Sequence, residues 1–306
     1  MMTMPARPRE VLLAKFGDKV KENISLAPYT SARIGGPADI FITASSSDEL
    51  AEIVTTLWGQ GLSFFMLGGG SNVLVSDKGA RGVTVLNRAK AVRFENGSQP
   101  KVWAEAGVIF SNLANRCASK GLSGLEWAAT VPGTVGGAVY GNAGAFGGDV
   151  SENLIQAEIL TEAGRAQWPV EKMEYGYRTS IFKRNEIKAV VLSAELSLTN
   201  STKEEVTVKI EQFSERRKST QPPGASMGSM FKNPTGDYAG RLIEAAGLKG
   251  TRIGNAEISP VHGNFFVNHG QTKASDIRAL IELAQKTVAD KFGVQLELEV
   301  ELVGEW

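Results

Sequence analysis

Glycine is concentrated in one segment of this chain. Residues 132–148 read PGTVGGAVYGNAGAFGG and contain seven glycines in seventeen positions. Glycine loses more conformational freedom on folding than any other residue, so a fold that retains this many requires bare backbone there. Bare backbone serves either the close packing of structural elements or the close approach of a ligand. This glycine-rich segment therefore constrains both the fold and the function.

A second cluster of glycines occurs earlier, in the sequence LGGGSNVLVSD at residues 67–77. A Rossmann-type dinucleotide site needs a helix directly after its glycines, whereas strand-like residues 73–75 follow here, which excludes that fold. Two interpretations remain: an ordinary glycine hairpin, or a nest of backbone N–H groups that holds a pyrophosphate. Because two glycine loops occur in one half of the chain, we favour an extended anionic ligand with a flat ring system, such as a flavin dinucleotide.

Composition limits the possible classes of function. The 306 residues include 33 basic and 33 acidic ones, and this balance argues against a nucleic-acid or membrane-surface role. The single Cys117 excludes an internal disulfide, and two histidines, His262 and His269, are too few for a usual zinc site. Residues 1–20 lack a long apolar run, so we predict neither a signal peptide nor membrane insertion. We expect a cytoplasmic protein without a metal or an obligatory protein partner.

Local patterns predict the elements of the first 200 residues. Ser46 and Glu49 have capping-box spacing before an amphipathic pattern, which predicts a helix over residues 45–61. A helix over 110–121 is predicted to be capped by Ser111 and stopped by Gly121. The other predicted elements are a helix at 8–22, strands at 62–67, 73–76, 83–86, 101–107 and 188–198, and a hairpin over 155–170 that turns at 162–165.

The pattern changes near residue 200. We predict helices at 201–218, 237–247 and 275–293, the last of them with Ser275 as its N-cap and Gly293 as its stop. Residues 294–303 alternate as a strand does, so that Glu297, Glu299 and Glu301 fall on the face opposite the apolar residues. Domain boundaries are placed near residues 86 and 201.

Six motifs in a fixed order resemble those of the UDP-N-acetylenolpyruvoylglucosamine reductase family. They are TSARIGGPADIF, LGGGSNVLVSD, LEWAATVPGTVGGAVYGNAGAFGG, YRTSIFK, GSMFKNP and LELEVELVG. The resemblance runs from about Ala27 to Gly304. Each motif alone is moderately specific, and the six in order are strongly so. The compact spacing from YRTSIFK to GSMFKNP resembles the shorter, second type (type II) of this family.

The resemblance implies an α+β fold with an FAD-binding region of two subdomains, of the vanillyl-alcohol oxidase (PCMH) type. A C-terminal α+β domain would cover the substrate, and the three parts would be residues 1–86, 87–201 and 202–306. The implied reaction is the NADPH-dependent reduction of the enolpyruvyl group of UDP-N-acetylglucosamine enolpyruvate to UDP-N-acetylmuramate, in peptidoglycan precursor synthesis. We expect non-covalent FAD, because neither histidine lies in the first two parts and Cys117 falls within a predicted helix.

The resemblance also assigns residues to the FAD site. In the earlier loop, the expected cofactor-binding residues are Gly68, Gly69, Gly70, Ser71 and Asn72. In the glycine-rich segment they are Pro132, Gly133, Thr134, Gly136, Gly137, Asn142, Ala143 and Gly144. We expect Gly133, Gly136 and Gly137 to lie nearest the pyrophosphate or the ring. A β-branched residue at Gly136 should then reduce flavin occupancy before it affects folding.

Three residues match the family's catalytic positions. Arg178 of YRTSIFK would stabilise a carboxylate that gains enolate character, Ser229 of GSMFKNP would donate a proton, and Glu299 would be the catalytic carboxylate. Without the resemblance, the commoner interpretations are a surface arginine, a loop-capping serine and a solvated strand face. The resemblance further implies that Tyr177, Lys232 and Asn233 bind the substrate.

Four residues depart from the family pattern. Leu298 and Glu301 stand where proline and arginine are usual, while Gly141 and Phe146 replace common methionine and tyrosine. Glu301 places a carboxylate where relatives have a cation, which favours protonation of Glu299 by like-charge repulsion. Two other functions stay open: a flavin-dependent alcohol oxidase of the same fold, which would consume oxygen in place of NADPH, and a nucleotide-binding module without catalysis.

Overall fold

The computed structural model describes residues 6–306, and their side chains from Arg9 onward. Its α-helices are α1 (Ala6–Phe16), α2 (Ser47–Gly59), α3 (Phe110–Ala118), α4 (Val135–Gly141), α5 (Val150–Asn153), α6 (Lys203–Thr220), α7 (Ala239–Ala245) and α8 (Ala274–Phe292). Short 3₁₀ segments occur at Gly17–Lys19, Ala27–Tyr29, Glu126–Thr130 and Val170–Met173. None of the helices in this described part is long and apolar enough to cross a membrane.

The strands are mostly short. In chain order they are β1 (Val20–Ser25), β2 (Pro37–Ala44), β3 (Phe64–Leu67), β4 (Val73–Val75), β5 (Ala80–Asn87), β6 (Val92–Glu95), β7 (Lys101–Glu105), β8 (Leu122–Ser123), β9 (Gly144–Ala145), β10 (Gly148–Asp149), β11 (Leu154–Thr161), β12 (Gly164–Pro169), β13 (Ala189–Ser197), β14 (Thr199–Asn200), β15 (Ala225–Ser229), β16 (Arg252–Ile253), β17 (Ala256–Ile258), β18 (Phe265–Asn268) and β19 (Glu301–Val303).

The chain divides into two units, each built from separate segments. The first unit contains the residues up to Phe41 together with Gly70–Thr84 and Lys218–Trp306, and the second contains Ile42–Gly69 and Val85–Arg217. The chain therefore changes unit within the triple glycine at residues 68–70. The three-part division at residues 86 and 201 stays a prediction.

The second unit contains a five-stranded antiparallel sheet with the order β12-β11-β13-β7-β6. Ala157 of β11 faces Ala194 of β13, which in turn faces Ala104 of β7, so that these small residues lie in one row across the sheet. That row belongs to a buried core to which α3 and α4 also contribute. The predicted strands at 101–107 and 188–198 and the hairpin over 155–170 are confirmed.

The first unit contains a four-stranded antiparallel sheet with the order β15-β18-β17-β16. The buried faces of α7 and α8 form a common core with this sheet. In addition, β19 pairs in parallel with β4, with Glu301 opposite Val73. This pair joins the segment after the triple glycine to the segment that carries the three predicted carboxylates.

Some helix ends lie where the local sequence predicts them. The predicted cap of α2 is confirmed, because the Ser46 hydroxyl accepts a hydrogen bond from the Glu49 N–H at 3.2 Å. Gly293 ends α8 in the left-handed conformation, with φ of 70°, as expected. The predicted helix at 8–22 is too long, since α1 ends at Phe16, Gly17 adopts a positive φ, and a strand begins at Val20.

Other helix starts differ from the sequence-based expectation. Ser111 lies inside α3 and does not cap it, and the N-cap of α8 is Lys273 rather than Ser275. The first turn of α8 is instead satisfied by Asp77, whose carboxylate accepts hydrogen bonds from the N–H groups of Ala274 at 2.7 Å and Ser275 at 3.0 Å. These backbone bonds lower the pKa of Asp77, although its partial burial opposes them.

The predicted strand over residues 294–303 is wrong for most of its length. Only Glu301–Val303 forms a strand, and Leu298 makes an isolated bridge to Phe231. The backbone bends at Glu299 and Val300, so the three glutamates do not share one regular strand face. Leu296 and Val300 are nevertheless buried, as the apolar alternation indicates.

Candidate active site

The two glycine loops contact each other within the second unit. A Cβ atom at Gly69 would lie 2.7 Å from the Cα of Gly133, and one at Gly68 would lie 2.5 Å from the Oγ1 of Thr134. Gly133 itself has a φ of 105°, which side chains disfavour. Close approach to the Gly133 backbone and to the Thr134 side chain therefore explains why residues 69 and 68 are glycine, and the two loops form a closely packed pair.

The rest of the earlier loop lies in the first unit. The Asn72 amide donates to the carbonyl oxygen of Glu299 at 3.0 Å, and the Asn72 carbonyl accepts from the Glu301 N–H at 3.0 Å. Gly70 has a φ of 60°, and its carbonyl accepts from the Ser31 N–H at 2.9 Å; Ser71, between Gly70 and Asn72, is partly buried. Asn72 thus forms hydrogen bonds with the backbone of Glu299 and of Glu301, the residues on both sides of Val300.

Sequence analysis did not identify helix α4 inside the glycine-rich segment. Thr134 is its N-cap, and its hydroxyl accepts from the Gly137 N–H at 3.4 Å. One face of α4 is buried in the core of the second unit, while Pro132 and Gly137 are exposed. A Cβ at Gly137 would meet only Thr134 Oγ1, at 3.7 Å, and no described atom lies within 4 Å of one at Gly141.

Gly136 has a packing requirement of its own. A Cβ at this position would lie 2.8 Å from the Cβ of Ala106 and 3.1 Å from its carbonyl oxygen. The Gly136 N–H also donates to that oxygen at 2.8 Å. This contact replaces the expectation that a substitution at Gly136 affects flavin occupancy before folding.

Gly136→Val should destabilise the protein itself. Overpacking of this kind costs about 1–3 kcal/mol in the free energy of unfolding. Chemical denaturation of the flavin-free protein measures this loss, with Gly141→Val as the control because its Cβ position is open. Unchanged stability with a loss of bound flavin would instead restore the ligand explanation for Gly136.

The predicted cofactor residues at 142–144 have internal partners. Asn142 is buried with a φ of 47°; its Oδ1 accepts from the Ser151 N–H at 3.0 Å and its Nδ2 donates to the Gly176 carbonyl at 3.2 Å. The Ala143 N–H donates to the Ala138 carbonyl at 3.0 Å, which ends α4. Asn142 therefore links the end of α4 to the loop that carries Arg178.

Arg178 lies beside the glycine-rich segment in the second unit. Its Nη2 donates to the carbonyl oxygen of Gly144 at 2.7 Å. The backbone of Arg178 has a φ of 55°, in the left-handed region that ordinary residues rarely occupy, and such strain is common at functional sites. Tyr177, the preceding residue, is exposed. The structure thus presents a guanidinium in a fixed setting next to an exposed aromatic ring.

A second arginine of this unit was not predicted from the sequence to be part of the site. Arg217 of α6 donates hydrogen bonds to the carbonyl and hydroxyl oxygens of Thr130, which precedes the glycine-rich segment. Burial lowers the pKa of Arg217, and the positive charge of Arg178 lowers it further. The guanidinium groups of Arg217 and Arg178 therefore add to one region of positive potential.

The loop that contains Ser229 is held by a buried asparagine. Asn264 accepts from the Phe231 N–H at 2.9 Å and donates to the Phe231 carbonyl at 2.8 Å, and its own carbonyl accepts from Met230 at 2.8 Å. Ser229 is the last residue of β15 and follows Gly228, whose φ is 76°. Nothing in the sequence near Asn264 signals this role, because its partner lies 33 residues away.

Glu299 is attached to the same loop through its backbone. Its N–H donates to the Met230 carbonyl at 2.9 Å, and the Lys232 N–H donates to the Glu297 carbonyl, also at 2.9 Å. The side chains of Lys232 and Glu297 form an ion pair. Ser229, Lys232 and Glu299 are therefore brought together within the first unit, on two backbone segments that are hydrogen-bonded to each other.

Asn233 has a structural partner in the same unit. Its Oδ1 accepts from the Ala239 N–H at 3.1 Å, which satisfies one of the free N–H groups at the start of α7. The side chain of Asn233 is exposed. Its expected contact with substrate stays a prediction.

The residues of the second unit suit a bound flavin dinucleotide. Gly137 and Gly141 are four residues apart on α4, so they lie on the same helix face and make it free of side chains, while the opposite face is buried. Next to this face, the paired loops at Gly69 and Gly133 expose only backbone.

Cys117 is buried and its pKa is raised to about 12, mainly by desolvation, so its thiol is unreactive.

Comparison with known families defines the class of this protein. Residues 38–168 match the family description "FAD binding domain", and residues 219–303 match "UDP-N-acetylenolpyruvoylglucosamine reductase, C-terminal domain". Together with the mixed helical and antiparallel fold, these matches define an FAD-binding α+β oxidoreductase of the PCMH type.

Whole-chain relatives narrow the class to one family. The chain is 43% identical to the UDP-N-acetylenolpyruvoylglucosamine reductase of Chloroflexus aggregans over 93% of its length and 97% of that protein, and 42% identical to that of Bacillus subtilis over 94% of each. The crystal structure of the Thermus caldophilus reductase matches with a TM-score of 0.78 and 34% identity, covering 92% of this chain and 97% of that one. The chain belongs to the UDP-N-acetylenolpyruvoylglucosamine reductase family.

Proposed function

We propose that this protein reduces the enolpyruvyl group of UDP-N-acetylglucosamine enolpyruvate to UDP-N-acetylmuramate, with NADPH as the co-substrate, in the supply of peptidoglycan precursors. Membership of the family supports the reaction class. The observation that supports catalysis is the attachment of Glu299 to the Ser229 loop, through the 2.9 Å bond from the Glu299 N–H to the Met230 carbonyl. A binding module without catalysis would have no need for an acid and a hydroxyl in so constrained a setting.

FAD, when bound non-covalently, supplies the hydride chemistry of this reaction. Of this chain's own residues, Arg178 would bind the carboxylate of the enolpyruvyl group. A guanidinium suits this task because it is always charged and presents a planar fork of donors. Its stabilising effect would increase as negative charge develops on the carboxylate during the reaction, which is how an electrostatic contact accelerates a step.

Ser229 and Glu299 would take part in the proton transfer to the substrate. A serine hydroxyl is a weak acid, so it protonates only a strongly basic carbon that is already well placed. The bonds from Asn264 to Phe231 and Met230 fix the loop after Ser229 and so support this positioning. Glu299 would share charge with the developing enolate, and its backbone bond to Met230 ties its segment to the loop that follows Ser229.

Lys232, Asn233 and Tyr177 would contact the sugar nucleotide. Lys232 pairs with Glu297; the Glu297 side chain is 71% exposed, whereas that of Lys232 is only 18% exposed. A diphosphate would take the place of the Glu297 carboxylate beside this ammonium group. Exposed Tyr177 would provide ring contact, and NADPH and the sugar nucleotide would use the same site in turn.

A half-reaction experiment tests the proposal. NADPH should bleach the flavin absorbance of the purified protein in the absence of air, and the enolpyruvyl sugar nucleotide should then restore it. Restoration only by oxygen would support the alcohol oxidase, and a flavin that NADPH fails to bleach would contradict the proposal. UDP-N-acetylglucosamine, which lacks the enolpyruvyl group, is the matched control and should restore nothing.

A further inference from the structure

Phe146 occupies an unusual turn next to the Arg178 site. Strands β9 and β10 pair with Ala145 opposite Gly148, so Phe146 and Gly147 form a two-residue hairpin loop. Both have positive φ values, 56° and 93°, as a type I′ turn requires. Such turns favour asparagine, aspartate or glycine at the position that Phe146 holds, and a bulky residue there is strained. The chain therefore retains this ring at the expense of local stability.

Helix α6 provides the partner of this ring. Phe213 stacks on Phe146 with their centroids 4.7 Å apart and their planes 9° from parallel. The Arg216 guanidinium lies 5.9 Å from the centroid of the Phe146 ring. Stacking of this kind stabilises beyond the area that it buries. The stack therefore offsets part of the strain and fixes the hairpin against α6.

The hairpin in turn holds Arg178. Gly144, two residues before Phe146, accepts the hydrogen bond from Arg178 Nη2 at 2.7 Å. Gly144 also lies close to the returning strand, because a Cβ on it would be 2.8 Å from the Cβ of Asp149. A shift of the hairpin would therefore move the carbonyl that orients the guanidinium.

We propose that Phe146 and Phe213 are positioning residues for Arg178: their stack fixes the hairpin whose Gly144 carbonyl aims the guanidinium at the substrate carboxylate. This inference rests on the proposed function for its substrate. It assigns helix α6 a role in the reaction although the two phenylalanines need not touch any reactant.

Phe146→Gly separates positioning from stability. Glycine relieves the left-handed strain while it removes the stack, so the melting temperature should change by no more than about 4 °C. The value of kcat/KM for the enolpyruvyl sugar nucleotide should fall by about 10- to 100-fold, because misplacement by 1 Å has effects of that size. Phe146→Tyr keeps the ring and should retain wild-type kcat/KM within about threefold, and Phe213→Leu should reproduce the loss.

Two comparisons decide whether the effect passes through Arg178. In an Arg178→Ala background, Phe146→Gly should lower kcat/KM by less than threefold, since no guanidinium is left to orient; a full additional loss would overturn the inference. Independently of turnover, ¹⁵N-arginine NMR should show faster rotation of the Arg178 guanidinium in Phe146→Gly and Phe213→Leu than in the wild type. Unchanged rotation would also overturn it. A wild type without substrate-dependent flavin reoxidation would instead reject the proposed function, and with it this inference.

Discussion

Ser229→Ala should leave flavin reduction by NADPH close to the wild-type rate and slow reoxidation by the enolpyruvyl sugar nucleotide by about two to four orders of magnitude, the usual contribution of a positioned proton donor. The loop geometry should survive, because Asn264 holds it through the backbone of Met230 and Phe231. Stopped-flow absorbance under anaerobic conditions measures both half-reactions. Ser226→Ala, in the same strand, is the matched control and should leave both rates unchanged.

Glu299→Gln probes the carboxylate of the same site. Its backbone bond to Met230 is unaffected by the change, so FAD content and folding should equal those of the wild type. Reoxidation by substrate should be impaired, because an amide is a poor proton carrier. Reoxidation within threefold of the wild-type rate, in either Ser229→Ala or Glu299→Gln, would remove that residue from the proton pathway.

Gly137→Ala should weaken FAD binding by tenfold or more while the flavin-free protein stays as stable as before. Alanine gains up to about 1 kcal/mol over glycine in a helix, and the structure has room for its Cβ. A methyl group on the bare face of α4 would nevertheless occupy space that a closely bound flavin needs. A tenfold loss corresponds to about 1.4 kcal/mol of binding free energy.

Titration of the flavin-free protein with FAD, followed by fluorescence quenching, measures this affinity, and circular dichroism measures the melting temperature. Gly59→Ala is the matched control, since Gly59 is also a helical glycine of the second unit, it lies in α2, and no described atom comes within 4 Å of its Cβ position. Full FAD affinity in Gly137→Ala would move the flavin away from α4 and leave helix geometry as the reason for this glycine.

Local sequence predicted those features whose cause is local. Ser46 caps α2 through a residue three positions away, and Gly293 ends α8 by its own backbone freedom. Ser275 was the wrong cap for α8 because Asp77, almost 200 positions earlier in the sequence, binds the same N–H groups. A local pattern contains no information about such a distant partner.

The residues of the site could be predicted from the sequence motifs, whereas their geometry could be predicted less well. The motifs selected Arg178, Ser229 and Glu299, and the structure adds that Glu299 is hydrogen-bonded through its backbone to Met230, the residue after Ser229. Alternation suggested a regular strand through Glu299, but its hydrogen bonds to Met230 and Asn72 bend the chain there. Helix α4 was missed because its glycines have low helix propensity, although Thr134 gives the N-cap signal.

The parallel pair of β4 and β19 has a consequence for biosynthesis. Val73–Val75 leaves the ribosome more than two hundred residues before Glu301–Val303, its partner. The second unit, by contrast, is complete once residue 217 has been made. Nascent chains fold unit by unit as they emerge, so the glycine-rich segment can be assembled while Glu299 is still untranslated. Glu299, the proposed catalytic carboxylate, therefore joins the fold only after the glycine-rich segment.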